Sequence, residues 1–537
     1  ASDVYKRQHI YMGIPYYFAN LIRNHKNIVK NLESIKNIHN LYLDSNSIIY
    51  DSIDFTLFQN KSQFENLIIQ KVIDKTELII KTINPSKNII LAFDGVPPIA
   101  KLNQQKNRRY KSSYQANLFN KNTPWDPTAI TPGTTFMEKL NLNITNYFHK
   151  RYNHINLILS LTDVPGEGEH KLFEFIRNNN HINDNTIIYG MDSDLIMLSL
   201  NHTKYTKSIY LYRETPHFIN SLDSTLDPQH KYLIDINELA DQIYYFLTDK
   251  TFVIENDSIE LYYNKISDYI FICFLLGNDF NEHFPAINLR LNGLTILLDL
   301  YREIFGINQH IIKDGDINWV NFKKYIGKLA ENEHNFIKEN YKIRDRQAKR
   351  FYPENTDEEI EFKFNITPSL ERNIEKFINP YEKDWQYRYY YSLFHIDIDK
   401  NTTAISSICN NYLTTLQWTF YYYSRDCVSW KHSYNYHYPP LLEDLYKNIP
   451  YFNSELVITP DKTIIHPYLL LSYVLPKNSL TLIPNAKITN YLLKNYPQHY
   501  REDYEFQYAF CKYFWEGHVL FPELDFEEFS NQINKLI

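Results

Sequence analysis

The chain has 537 residues and a formal net charge of −7, a balance that argues against a generic nucleic-acid coat. Hydrophobic residues make up 44% and aromatic ones 16%, enough for a large core, and no apolar run approaches the ~18 residues that span a bilayer. Four dispersed cysteines (Cys273, Cys409, Cys427, Cys511) without CxxC spacing exclude a zinc finger or a disulfide scaffold and suit a reducing compartment.

Residues 1–11 precede Met12, a plausible start, and read as an extension without a structural role. Strands are expected at Asn40–Leu43, Asn88–Phe93, Ile155–Leu159, Thr186–Gly190 and Ser208–Tyr212, with helical patterns between them such as Gln63–Thr82 and Glu169–Arg177. This alternation predicts an α/β fold with a mostly parallel central sheet flanked by helices. The apolar segment Tyr269–Leu276 reads as a buried helix stopped by Gly277. A first region is expected over 12–341. Lys342–Glu361 is highly charged, so 342–373 reads as a linker or exposed connection. The second region, 374–537, is aromatic-rich and mainly helical. It is expected to turn irregular at NYHYPPLLEDL and IHPYLLLSYVLP, to pack on the first region and to complete its site.

Seven acids stand in five short motifs, each following or ending an apolar stretch. They are Asp44 (LYLDSNS), Asp94 (LAFDGVPP), Glu167 and Glu169 (VPGEGEHK), Asp192 and Asp194 (YGMDSDLI), and Asp279 (FLLGNDF). The chain has only 12 glycines, yet Gly95, Gly166, Gly168, Gly190 and Gly277 lie beside these acids, and Gly13 and Gly133 mark two further candidate motifs. A parallel sheet binds ligands beyond the carboxyl ends of its strands, so topology directs these acids to one crevice. Carboxylates that close raise one another's pKa and call for hard divalent cations: Mg²⁺ first, with Mn²⁺ as the alternative. Paired ions of this kind do phosphoryl chemistry.

From Gly95 to Trp125 there are six basic residues and no acidic one. Lys101, Gln105, Arg108 and Arg109 share one helical face, a spacing that normally belongs to apolar residues. One ammonium, one amide and two guanidinium groups in a row suit a terminal phosphate.

Together with these motifs, MGIPYYF, FDGVPPIAKLNQQKNRRYKSS, ITPGTTFM, LTTLQWTFYYYSRDCVSWKHSYNYHYPP, PYLLLSYVLP and WEGHVLFPELD give the chain a resemblance to the Xrn family of 5′-to-3′ exoribonucleases, from Met12 almost to its end. The resemblance implies a PIN/flap-nuclease-like core and a second conserved region wrapped around it. It implies that all seven acids are catalytic metal ligands and that Lys101, Gln105, Arg108 and Arg109 bind a 5′-monophosphate. It also implies that the first base stacks between a His and a Trp. Tyr50 stands at the His position, and the Trp is assigned to Trp430, with Trp418 as second choice. His170 and His283 fall inside matched motifs, where structural roles are equally expected.

The resulting expectation is a Mg²⁺-dependent monomeric enzyme of RNA decay. It would hydrolyse 5′-monophosphorylated single-stranded RNA to nucleoside 5′-monophosphates by two-metal catalysis, in the cytoplasm and without membrane attachment. The alternatives are a flap-type DNA endonuclease and a non-catalytic RNA-binding scaffold.

Overall fold

In a computed structural model of the chain, the structure describes residues 17–152, 154–215, 219, 223–249, 259–452, 456 and 458–537. Gly13 and most of the MGIPYYF motif lie outside the described residues. A seven-stranded sheet runs in the order β1-β7-β6-β5-β2-β3-β4. Its strands are β1 (Val29–Asn31), β2 (Asn40–Asp44), β3 (Asn88–Ala92), β4 (Asn156–Ser160), β5 (His181–Tyr189), β6 (Thr206–Tyr212) and β7 (Tyr232–Asp235). The five strands from β6 to β4 are mutually parallel, and β7 and β1 close one edge antiparallel.

The sequence reading missed β1 and β7 because three- and four-residue edge strands carry too few residues to display an alternation. β5 also starts at His181 rather than near Thr186, because the polar stretch before Thr186 pairs irregularly with β6.

Helices α1 (Lys61–Ile83), α2 (Ile99–Leu118), α3 (Thr135–Phe148), α4 (Gly168–Asn178) and α5 (Asp194–His202) follow in chain order. Every residue of β2 and β3 is buried, and successive side chains enter opposite layers. Leu41, Leu43, Ile89 and Leu91 pack with α1 and α3. Tyr42, Ile90 and Ala92 pack with Leu172 and Phe173 of α4 and Leu195 of α5. Two covered faces explain why these strands read as continuous apolar runs.

Four later helices matter for the site: α6 (Ile259–Cys273), α7 (Trp319–Ala348), α8 (Ala404–Ser424) and α9 (Pro467–Val474). The α8 residues Trp418, Phe420 and Tyr423 belong to the same apolar cluster as the α4–α5 face of the sheet, so the second region shares the core of the first. Leu469, Leu470 and Val474 of α9 pack on Ile99 and Leu102 of α2.

The charged stretch read as a linker or exposed connection is mostly exposed over 342–360 and largely helical, since α7 runs on to Ala348 and a further helix spans Asp357–Asn365. Buried ion pairs draw it in, as Arg344 meets Glu375 at 2.6 Å. The segment around Pro467 is a helix rather than irregular chain, with the proline in the first turn, where a missing N–H costs nothing. All four cysteines are buried free thiols. Among the described residues no helix is long and apolar enough to cross a membrane.

Candidate active site

The acids gather at the carboxyl edge of the parallel strands. Asp44 ends β2, Asp94 lies two residues beyond β3, and Asp192 and Asp194 follow β5, with Asp194 opening α5. Glu167 and Glu169 sit at the start of α4, where the Gly168 amide donates to Asp94 Oδ1 at 2.7 Å. A methyl group on residue 168 would meet Asp44 Oδ1 at 2.9 Å and Asp94 Oδ1 at 3.4 Å. Glycine therefore lets α4 reach the strand ends. Asp279 arrives from α6 through a tight turn at Phe274–Leu276, which Gly277 leaves with φ +90°. That backbone conformation favours glycine.

Lys101 stands among these acids, its Nζ 2.5 Å from Glu167 Oε2 and 2.7 Å from Asp279 Oδ2. The Asp194 amide donates to Asp192 Oδ1 at 3.1 Å. Burial, then the charges of Asp94 and Asp192, push the Asp44 carboxyl well above the usual range. Burial, then Asp192, does the same to Glu169 and Asp194. Asp192 is raised by burial and then by Asp279. Glu167 is raised by burial, against the pull of Lys101. Burial alone would depress Lys101, but Asp279 and Glu167 hold it well above the usual lysine range.

Lys101 is the ammonium ion-paired to these acids, and Arg109, Lys171 and Arg213 act on Asp94 and Asp192 from farther off; seven carboxylates still leave an excess of negative charge. Hard oxygen donors in that number fit divalent cations such as Mg²⁺ or Mn²⁺. Ligand atoms of Glu167, Glu169 and His170 lie within 4.8 Å of one another. His170 Nε2 has no hydrogen-bond partner, and its ring stacks on Tyr422 at 3.6 Å between centroids. The residues present fit the ion.

Several supporting groups escaped the sequence reading. Asn46 Oδ1 accepts from the Asp94 amide at 3.1 Å, and its amide group donates to Asp94 Oδ2. Lys171 Nζ donates to the carbonyls of Phe93 at 2.7 Å and Leu161 at 2.9 Å, tying the start of α4 to two strand ends. Tyr422 on α8 donates to Glu167 Oε1 at 2.9 Å, and Tyr423 hydrogen-bonds Asp194. Asn46 and Lys171 stand inside the acidic motifs and were open to inspection there. Tyr422 and Tyr423 carried only the signal of an unusual aromatic run.

The basic row lies along α2. Lys101, Gln105 and Arg109 are buried, and Arg108 is half-buried. Lys101 faces the acids. Arg109 feels the charges of Asp126 and Asp94 and lies near Tyr50, while burial brings its guanidinium down to about 10. Arg109 Nη1 and Gln105 Oε1 are buried without partners, which is costly unless a ligand meets them.

Of the aromatic candidates, Tyr50 is half-buried. Trp430 is also half-buried, and its carbonyl accepts from the Ile99 amide at 2.9 Å, at the head of the basic helix. Trp418 is 0% exposed, donates Nε1–H to the Ser429 carbonyl at 2.8 Å and stacks on Tyr422. With no open face, Trp418 is a core residue, which corrects the second-choice assignment. His283 packs beside Gly277.

Comparisons with known proteins agree in kind. A family model described as "XRN 5'-3' exonuclease N-terminus" matches residues 12–215, and one described as "Xrn1 helical domain" matches 262–376 and 369–536. The chain is 27% identical to 5'-3' exoribonuclease 1 of Saccharomyces cerevisiae, over 88% of this chain and 40% of that protein. Against the Homo sapiens protein of the same name the identity is 26%, covering 96% of this chain and 33% of the relative. For Schizosaccharomyces pombe the figures are 25%, 96% and 48%. The chain thus spans less than half the length of these curated relatives.

Proposed function

This chain belongs to the XRN 5′-3′ exonuclease family, and on that premise we propose that it hydrolyses single-stranded RNA from a 5′-monophosphorylated end, releasing nucleoside 5′-monophosphates in RNA decay. The observation that carries the reading is the join between two charged sites: Lys101, first of the basic row, is ion-paired to Glu167 and Asp279 of the acid cluster. A terminal phosphate held on that row has its next phosphodiester beside the carboxylates.

The roles follow from the side chains. Asp44, Asp94, Glu167, Glu169, Asp192, Asp194 and Asp279 would hold two Mg²⁺ ions, which supply Lewis acidity toward the scissile phosphate. Lys101, Gln105, Arg108 and Arg109 grip the 5′-phosphate, and the unpartnered Arg109 Nη1 supplies a ready donor. Tyr50 and Trp430 offer ring faces to the first base. Stacking is indifferent to base identity, as an enzyme that consumes every nucleotide in turn requires. Asn46 orients Asp94, Lys171 fixes the turn that carries Glu167, and Tyr422 steadies Glu167 from the second region. Regions 12–341 and 374–537 act as one monomeric catalytic unit, with 342–373 between them.

The test compares RNAs of one sequence bearing 5′-monophosphate, hydroxyl or triphosphate ends, with and without Mg²⁺. Release of mononucleotides from the monophosphorylated RNA alone, and only with the ion, is expected. Equal degradation of all three, or release of oligonucleotides from a 5′-labelled strand, would contradict the proposal.

A further inference from the structure

The cleft of the candidate site continues along α2 beyond Lys101. Arg108 and Asp279 line it together with Gln104, Asn278 and Asn281, three amides that belong to neither the phosphate row nor the acid cluster. Gln104 lies three residues after Lys101 and four before Arg108, so the three share one stripe of the helix. Asn278 directly precedes Asp279 in the turn that brings this acid to the site. The amides thus stand where the phosphate row meets the acids.

Existing partners settle which of their atoms are spare. An ionised carboxylate only accepts, so the contact of Gln104 with Asp279 Oδ1, at 3.4 Å, is made by Nε2–H. The atom left without a partner is Oε1, an acceptor. At Asn278 the order is reversed. Its Oδ1 accepts from the backbone amides of Phe280 at 2.8 Å and Asn281 at 2.9 Å, and the atom left over is Nδ2, a donor. Asn281 is 1% exposed, and its Nδ2 is also without a partner. Buried amide atoms in this state are costly unless a ligand meets them.

A spare acceptor beside a spare donor is not a phosphate site. A phosphodiester oxygen only accepts, which would leave Gln104 Oε1 unmet. A hydroxyl donates and accepts through one oxygen, so it answers Gln104 and Asn278 together. Base edges also pair donors with acceptors, but their pattern changes from base to base, and the proposed enzyme consumes all four. The 2′-hydroxyl is the donor and acceptor that every ribonucleotide carries and every deoxyribonucleotide lacks. With the 5′-phosphate on the basic row and the scissile link at the acids, the sugar between them is the first ribose.

We propose that Gln104 and Asn278 read the 2′-hydroxyl of the first ribose, Gln104 Oε1 accepting its proton and Asn278 Nδ2 donating to its oxygen, and that this pair makes the site choose RNA over DNA. The choice of sugar over base rests on the exoribonuclease reading. The amide pair as a hydroxyl site does not.

The test is equilibrium binding of 3′-labelled, 5′-monophosphorylated hexanucleotides to the intact chain by fluorescence anisotropy, with Ca²⁺ in place of Mg²⁺ so that the strands stay uncut. One strand is all ribose, one lacks only the first 2′-hydroxyl and one lacks only the last. Loss of the first hydroxyl should weaken binding roughly ten-fold, about the value of one hydrogen bond with its buried partners left stranded, and loss of the last should change nothing. In Gln104→Met and in Asn278→Ala the all-ribose strand should bind more weakly, and the first-position penalty should shrink toward none. A purely structural role for these residues would weaken all three strands alike. Should Asn278→Ala fold poorly, Gln104→Met and the position dependence in the native chain decide. No penalty at the first position, a penalty that follows the base across the four homopolymers, or one that persists in Gln104→Met would each overturn the assignment. If the penalty is present while RNA with Mg²⁺ is never degraded, the exoribonuclease reading falls and the hydroxyl site stands. If RNA is degraded from its 5′ end without the penalty, the hydroxyl site falls and the reading stands.

Discussion

Two buried charge clusters in this molecule have opposite character. Near the end of α7, Arg344 meets Glu375 at 2.6 Å, Arg372 meets Glu375 at 2.5 Å, and Arg372 reaches Asp345 at 2.5 Å. Arg344 also donates to the carbonyls of Pro368 and Cys511. There cations and acids match, most donors find acceptors (Arg372 Nη2 is the exception), and the cluster ties three distant segments together. At the strand ends, seven acids outnumber the cations near them, and among the described residues only Lys101 is ion-paired to them. The first cluster is neutralised as the chain folds, and the second, on the proposed reading, is neutralised by cations from solution. Charge imbalance, more than burial, separates a site from a staple.

Several changes would break or sharpen that contrast. The largest effect is expected from Asp192→Asn combined with Asp194→Asn. RNA hydrolysis should fall by about 10³-fold or more, as loss of metal-dependent stabilisation implies, with the fold kept. A gel assay with a melting curve checks both, and full activity in that variant would sink the metal assignment. On the other cluster, Arg344→Met should cost about 1.5–3 kcal/mol of stability, since its charged hydrogen bonds to Glu375 and to the Pro368 and Cys511 carbonyls are lost while Arg372 still neutralises Glu375. Denaturant unfolding measures this, while folded enzyme should keep its Mg²⁺ response.

A smaller effect is expected from Arg109→Gln. It should narrow the preference for monophosphate over hydroxyl ends roughly ten-fold, about the value of one charged hydrogen bond, before it slows hydrolysis of a saturating substrate. Competition between the two RNAs reads the ratio.

Smallest is a pH effect on stability. Asp44, Glu169 and Asp194 have pKa values raised in the fold, so the folded chain binds more protons than the unfolded chain. Their contribution to stability is greatest below the ordinary carboxylate range and is lost as pH rises through the raised values. In EDTA, Tm should therefore climb as pH is lowered from 8 toward 5, and Mg²⁺ should flatten the slope. A Tm profile indifferent to the ion would remove the imbalance on which the contrast depends.

Much of the sheet was legible because β2, β3 and β5 carry buried apolar runs closed by Gly or Asp. The gathering of acids followed from where parallel strands end. What stayed hidden depends on partners far along the chain. The sequence around Arg344 looks like a solvated charge run, since nothing there announces Glu375. Tyr422 and Trp418 sit four residues apart on α8, yet one bonds Glu167 and the other a core carbonyl. Trp430 and Trp418 lie in one matched stretch of sequence, and packing distinguishes the half-buried ring from the enclosed one.

The central claim is that the seven carboxylates form one cage for divalent cations. Titrating the metal-free chain with Mn²⁺ and counting bound ions by electron paramagnetic resonance tests it most directly. The account predicts two ions per chain, displaced by Mg²⁺ and lost in Asp192→Asn with Asp194→Asn. No bound ion in the native chain, or equal binding in the double variant, would contradict it.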